Sequence, residues 1–111
     1  GSIPSELGRW TNAKTIQFRN NFLTGTIPSE LGQWTSIDYF DVELNSLSGR
    51  LPSDLGRWTM LDVAYFNDNL FFGQLPIELG NWTDARRVYF HNTSLSGTVP
   101  LSFAAWSNAE E

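Results

Sequence analysis

Apolar residues recur along this chain at one long, fixed interval. A glycine stands three residues before each proline, at positions 1, 25, 49, 73 and 97, a constant step of 24 residues. An unbroken period over the whole length indicates that each repeat is one coil stacked on the next, as in a solenoid. Three columns of apolar residues are predicted to face inward: Ile3, Ile27, Leu51, Leu75 and Val99; Leu7, Leu31, Leu55, Leu79 and Phe103; and Trp10, Trp34, Trp58, Trp82 and Trp106.

A second pattern lies within each repeat. Apolar residues alternate with polar ones in the pairs Ile16/Phe18, Phe40/Val42, Ala64/Phe66 and Val88/Phe90. Alternation with a period of two is typical of a strand with one buried face. The pattern predicts strands over residues 15–19, 39–43, 63–67 and 87–91. Connections of this length between aligned strands indicate a parallel sheet.

The segment from Pro4 to Gly8 predicts a short turn of helix on the opposite side of the coil. Proline is favoured where a helix starts and glycine where it stops, which leaves room for a single turn of 3₁₀ type. The device recurs at Pro28, Pro52, Pro76 and Pro100, with Gly32, Gly56 and Gly80, whereas the fifth copy has Ala104.

An asparagine column comprises Asn21, Asn45 and Asn69, with Thr93 in the fourth copy. An amide offers two donors and one acceptor. A buried Asn between coils therefore pairs with loop backbone groups that would otherwise lack hydrogen bonds. Threonine offers only one donor.

The tryptophan column is predicted to belong to the core. Overpacking a core costs about 1–3 kcal/mol, so a tryptophan in every coil needs compensation. Small residues follow three of the five at the next inward position (Ala13, Ala85 and Ala109), whereas Ile37 and Leu61 follow the other two. We expect core packing here rather than an aromatic binding strip.

The string Leu-Gly-x-Trp, three spaced apolar residues, Asn-x-Leu-x-Gly-x-Ile-Pro resembles the plant-specific class of leucine-rich repeat. Members include receptor-kinase ectodomains, polygalacturonase-inhibiting proteins and many algal proteins. The chain departs from them in having Trp where Leu is usual, and in lacking the cysteines of disulfide-bonded caps.

The resemblance implies an α/β fold class: a right-handed leucine-rich-repeat solenoid with a parallel β-sheet on its concave face and short 3₁₀ or helical turns on its convex side. Residues 1–111 are expected to form one leucine-rich-repeat domain, a part of a longer solenoid. The resemblance also implies an extracellular or cell-surface location and a protein or peptide ligand. Inhibition of a cell-wall polysaccharide hydrolase is the alternative that it leaves open.

Strand residues between the inward ones are expected to face the concave side, where repeat proteins often bind partners. They form the rows Thr15, Tyr39, Val63 and Arg87; Gln17, Asp41, Tyr65 and Tyr89; and Arg19, Glu43, Asn67 and His91. Tyrosine and arginine are enriched at recognition hot spots. The predicted ligand-binding residues are Tyr39, Asp41, Glu43, Tyr65, Asn67, Arg87, Tyr89 and His91. The rival hypothesis is a merely solvated face, with Arg19 and Glu43 as a surface ion pair.

Catalysis and metal binding are not expected. Asp41 and Glu43 share a face about 7 Å apart, twice the strand rise, a separation compatible with glycosidase carboxylates. However, an open solenoid face excludes no water and raises neither pKa. His91 is the only histidine and there is no cysteine, which disfavours a zinc site. No cofactor is predicted.

Charge and regularity bear on two further classes of partner. A net charge of −5 with scattered basic residues disfavours nucleic acid. No run of about 20 apolar residues is present, so membrane attachment is expected only through segments outside this chain; the oligomeric state stays open. A third function, binding of ice or another crystal, is suggested by the column Thr11, Thr35, Thr59, Thr83 and Ser107. We expect instead that these hydroxyls tie successive loops together.

Overall fold

The computed structural model describes residues 1–96, which form four stacked coils of 24 residues (1–24, 25–48, 49–72 and 73–96). Each coil has a 3₁₀ helix, a strand, a loop and a second short strand. The 3₁₀ helices span Ser5–Arg9, Ser29–Gln33, Ser53–Arg57 and Ile77–Asn81. The strands are β1 (Thr15–Gln17), β2 (Thr24–Gly25), β3 (Tyr39–Asp41), β4 (Ser46–Gly49), β5 (Val63–Tyr65), β6 (Leu70–Gln74), β7 (Arg87–Tyr89) and β8 (Ser94–Ser96). No helix in this part of the chain is long and apolar enough to cross a membrane.

The predicted parallel sheet is present, with strand order β1-β3-β5-β7. Each residue pairs with the one 24 positions later, as in Ile16 with Phe40. The strands are three residues long instead of the predicted five. Hydrogen bonding between coils nevertheless continues past their ends, for example from Phe18 N to Asp41 O at 2.7 Å. The chain then bends through positive φ at Asn20, Leu44, Asp68 and Asn92, which ends the regular strand.

A second parallel sheet, β2-β4-β6-β8, was not predicted. Three of its strands, β2, β4 and β8, are mostly Ser, Thr and Gly, and β6 begins with a run of apolar residues without alternation, so the sequence carries no clear strand signal there. Its register also differs: Thr24 pairs with Ser46, 22 positions later. Gly25, Gly49 and Gly73 each have φ between +81° and +86° in or beside these strands, a conformation open to glycine at little cost.

The 3₁₀ turns confirm the predicted helix type but give the glycines another role. Gly8, Gly32 and Gly56 lie inside the helices, not at their ends, so the predicted stop signal was wrong. A Cβ on Gly32 would lie 2.6 Å from the backbone oxygen of Asp54 in the next coil, and equivalent contacts of 2.5 and 2.7 Å face Gly8 and Gly56. Glycine is required here because adjacent turns pack backbone against backbone.

The tryptophan column forms the centre of the core, as predicted, in coils 2 to 4. Trp34, Trp58 and Trp82 are fully buried, and neighbouring rings stack with centroids 6.1 and 6.0 Å apart. Each indole Nε1 donates to a carbonyl of the preceding coil's 3₁₀ helix: Leu7, Leu31 and Leu55, at 2.7, 2.9 and 2.7 Å. Tryptophan in place of leucine therefore adds a hydrogen bond between coils. Trp10, in coil 1, is 54% exposed, unlike the others.

The asparagine ladder is confirmed for Asn45 and Asn69. Asn45 Oδ1 accepts from the backbone N–H groups of Asn21 and Leu23, at 3.0 and 2.9 Å. Asn69 Oδ1 accepts from Leu47 N, and its Nδ2 donates to Val42 O in the previous coil at 2.9 Å. Asn21 is exposed, so its predicted burial was wrong; its side chain donates only to Arg19 O.

The expectation for the threonine column was wrong, and the expectations for the fifth repeat cannot be compared with the described residues. Thr11, Thr35, Thr59 and Thr83 are all exposed, and within residues 1–96 their hydroxyls make no hydrogen bond, so they do not tie loops together. The predictions for Val99, Pro100, Phe103, Ala104, Trp106, Ser107 and Ala109 lie outside the described residues.

Candidate binding face

Three tyrosines form a continuous aromatic row on the concave sheet. Tyr65 in β5 and Tyr89 in β7 are register partners, and their rings stack at 4.8 Å with planes 9° apart. Tyr39, one strand back, approaches Tyr65 at 6.0 Å with a 57° tilt. All three are half-buried, because each ring covers part of its neighbour. We call Tyr39, Tyr65 and Tyr89 the tyrosine row.

A chain of polar side chains runs beside the tyrosine row where the strands end. Arg19 pairs with Glu43 Oε1 at 3.2 Å, which confirms the predicted ion pair. Glu43 Oε2 accepts from Asn67 Nδ2 at 3.1 Å, and the same amide donates to Asp68 at 2.7 Å. Asp68 in turn accepts from Asn92 Nδ2 at 2.8 Å. We call these five residues, Arg19, Glu43, Asn67, Asp68 and Asn92, the polar rail. Its hydrogen bonds and ion pair link all four coils.

Two of the predicted binding residues are buried instead of solvated. Asp41 is 2% exposed and Asn67 is 3% exposed. Asp41 Oδ1 accepts from Glu43 N at 3.0 Å. Burial raises the pKa of the Asp41 carboxyl; the Glu43 N–H opposes that rise, the Glu43 carboxylate adds to it, and Arg19 weakly opposes it. The rival hypothesis of a merely solvated face therefore does not describe these two positions.

The charged neighbours of Tyr65, in the middle of the tyrosine row, are acidic. Desolvation raises the pKa of Tyr65, and the neighbouring Tyr39, Tyr89, Asp41 and Glu43 raise it further. Hydrogen bonds from Asn67 and Asn92 lower the pKa of Asp68. The polar rail contains two carboxylates, Glu43 and Asp68, and one arginine, Arg19. Asp41 is a third carboxylate beside the tyrosine row.

The remaining predicted residues lie at the coil-4 end of the face. Arg87 is exposed at the start of β7. The His91 ring meets the edge of Tyr89 at 6.1 Å and 90°, and its Nε2 lies 3.9 Å from Asp68. The eight predicted residues thus share one face, with the side chains of Asp41 and Asn67 beneath its surface.

Asp68 and Asn92, which link the rail to coil 4, were not among the predicted site residues. Both have positive φ, like Asn20 at the equivalent position. Asn and Asp adopt this conformation more readily than other non-glycine residues. A column of Asn and Asp at positions 20, 68 and 92 was the available signal.

No metal-binding group of three or more His, Asp or Glu side chains is present in residues 1–96. Asp41 and Glu43 do share an edge, but one is buried against a backbone N–H and the other is held by Arg19 and Asn67. The arrangement offers binding groups for a ligand and assigns no proton-transfer role to either carboxylate.

The fold, the repeat and the ladder define a class of protein. The family model for the leucine-rich repeat matches residues 12–34. The chain is a leucine-rich-repeat protein that resembles plant receptor ectodomains.

Solved structures extend this likeness over almost the whole chain. A TDR receptor superposes with a TM-score of 0.91 at 33% identity, covering 98% of this chain and 19% of the receptor chain. The plant peptide hormone receptor RGFR1 in complex with RGF2 gives a TM-score of 0.87 at 26% identity, covering 99% of this chain and 18% of the other. The chain thus spans about a fifth of these receptor chains.

A plant ice-binding protein has a TM-score of 0.85 at 24% identity, covering 96% of this chain and 34% of the other, which shows the shared fold alone. No curated protein matches the sequence.

Proposed function

We propose that this chain is a recognition module that binds a protein or peptide through the tyrosine row and the polar rail. The observation that carries the proposal is the tyrosine row itself. Three half-buried aromatic rings line up across three coils of the concave face, and none of them belongs to the buried apolar cluster of residues 1–96. Rigid aromatic side chains that keep partial exposure are typical anchors of protein interfaces.

The comparisons support the same class of function. The similar solved structures include a TDR receptor and the plant peptide hormone receptor RGFR1 in complex with RGF2. By this likeness we also propose an extracellular or cell-surface location.

A displayed library of random peptides tests the proposal. Peptides are selected on the wild-type chain and then measured against the double variant Tyr65→Ala/Tyr89→Ala. We expect Kd to rise at least about 30-fold, the equivalent of about 2 kcal/mol for a hot spot. The matched control is Glu6→Ala/Asp54→Ala on the exposed 3₁₀ turns, which should leave Kd unchanged. A selected peptide that responds to the control pair and not to the tyrosines contradicts the proposal.

The threonine column supports a second candidate function, binding to the surface of ice. Thr11, Thr35, Thr59 and Thr83 are exposed at the same corner of successive coils, and within residues 1–96 their hydroxyls make no hydrogen bond. Stacking places such groups about 4.8 Å apart, and a crystal surface is a partner that rewards regular spacing. Inhibition of ice recrystallisation that is lost in Thr35→Lys/Thr59→Lys would support this function. A wild-type chain without inhibition eliminates it.

A further inference from the structure

Asp41 is a buried carboxylate with little to balance its charge. It lies in β3 on the concave row, between Gln17 of β1 and Tyr65 of β5 in register. Its Oδ1 accepts one backbone hydrogen bond, whereas Oδ2 accepts none from any residue in 1–96. Burying a carboxylate is costly unless it is paired with a cation or fully hydrogen-bonded.

Arg19, the nearby cation, does not neutralise the charge of Asp41. The guanidinium of Arg19 is engaged by Glu43 at 3.2 Å and remains more than half exposed. Asp41 itself forms no ion pair in the described part of the chain. The register of the sheet places Tyr65 beside Asp41, and the ring of Tyr39 contacts the ring of Tyr65.

Those rings are suited to a cation. Tyr65 is the register partner of Asp41 on the adjacent strand, about 4.8 Å away along the sheet, and the Tyr39 ring lies 6.0 Å from the Tyr65 ring. An aromatic ring attracts a cation through its quadrupole, and the attraction grows when water is excluded. Asp41 and Glu43 add negative potential on the same side of Tyr65.

We infer that the concave face takes a positively charged side chain of its peptide partner, a guanidinium or an ammonium, seated against Tyr39 and Tyr65 and neutralised by Asp41. This inference rests on the proposed function and specifies the chemistry of the partner at one position. A cation at this position neutralises the charge of Asp41, which no residue of 1–96 does. It also explains why aromatic and acidic side chains lie next to each other on this face.

Four probes test the inference: acetylated and amidated pentapeptides Gly-Gly-X-Gly-Gly with X as arginine, lysine, citrulline or glutamate. Citrulline matches arginine in shape but carries no charge. Binding is followed by NMR on ¹⁵N-labelled full-length chain. We expect the arginine and lysine peptides to shift the resonances of Tyr39, Asp41 and Tyr65 in a saturable way. Their Kd should be at least about 10-fold lower than that of the citrulline peptide.

The variant Asp41→Asn keeps the side-chain shape and removes the charge. It should reduce the preference for arginine over citrulline to about 2-fold or less. Asp54→Asn, a carboxylate on the 3₁₀ side, is the matched control and should leave the preference unchanged. Equal affinities of the arginine and citrulline peptides for the wild type, or a preference that survives Asp41→Asn, would overturn the inference.

A second measurement avoids the variant altogether. In the wild-type chain, the ¹³C resonance of the Asp41 carboxyl is titrated with and without saturating arginine peptide. A bound cation favours the ionised form, so the pKa of Asp41 should fall with arginine and stay in place with citrulline. An unchanged Asp41 pKa overturns the inference. If library peptides still require Tyr65 and Tyr89 while charge makes no difference, only this inference fails and the proposed function stands.

Discussion

The asparagine ladder predicts a graded response to the same substitution in successive coils. Replacing Asn69 with Ala removes the acceptor of Leu47 N and the donor to Phe66 O, both buried backbone groups. Val42 O keeps its second donor, Asn45 Nδ2. An unpaired buried group costs about 1–3 kcal/mol, so two of them give about 2–6 kcal/mol for Asn69→Ala.

The same change should cost less toward the start of the chain. Asn45→Ala frees backbone groups of coil 1 that are exposed or only half-buried, which water partly satisfies, and we expect about 1–3 kcal/mol. Asn21→Ala removes one exposed bond to Arg19 O and should cost less than about 0.5 kcal/mol.

Urea denaturation monitored by tryptophan fluorescence measures this series, because three indoles are fully buried between coils. The midpoints should fall in the order Asn21→Ala, Asn45→Ala, Asn69→Ala, with a constant slope m. Equal losses at all three sites, or a loss below about 1 kcal/mol at Asn69, would refute the burial argument.

Four further predictions follow from individual residues. Leu44→Asn should stabilise the fold by about 1 kcal/mol, seen as a higher urea midpoint, because Leu44 has φ 60° where the other coils carry Asn or Asp; a lower midpoint contradicts this. Gly32→Ala should cost about 2–3 kcal/mol in the same assay, because its Cβ would meet the next coil's backbone at 2.6 Å, whereas Gly1→Ala, with nothing within 4 Å, should be neutral; equal effects would exclude close packing as the reason. Thr93→Asn should raise the melting temperature by extending the ladder, since the threonine hydroxyl donates only within its own coil; a lower one means that the amide does not fit. Asp41→Asn should stabilise the chain at neutral pH. The folded pKa of Asp41 lies above its ordinary value of 3.8, so wild-type stability should gain from this group as pH falls through that raised pKa; a variant with the wild-type pH profile rules out this contribution.

The solenoid could be predicted from the sequence because the 24-residue period is visible in every repeat. The Trp and Leu columns, the Asn ladder and the concave strands each follow from one residue type repeated every 24 positions. The second sheet was missed because β2, β4 and β8 are short and consist largely of Ser, Thr and Gly, and because β6 begins with a run of apolar residues without alternation. Gly32 was misassigned because a stop signal and a close backbone contact both select glycine.

For the binding face, the sequence could predict only on which side of the sheet each side chain lies. Alternation along β3, β5 and β7 placed the tyrosines on the concave side. Alternation could not predict that Tyr65 and Tyr89 stack or that Asp41 is buried. Both features depend on the relative sizes of neighbouring side chains on adjacent strands. The rail through Asp68 depends on left-handed backbone at one position per coil, which alternation does not describe.

The proposed function requires that the partner binds the concave face. Its most direct test is an NMR footprint of a library-selected peptide on the ¹⁵N-labelled chain. Saturating peptide should shift the amides of Tyr39–Asp41, Val63–Tyr65 and Arg87–Tyr89 most strongly and leave those of Ser29–Gln33 and Ser53–Arg57 nearly unchanged. Largest shifts along the two 3₁₀ helices, with the concave strands unaffected, would contradict the claim.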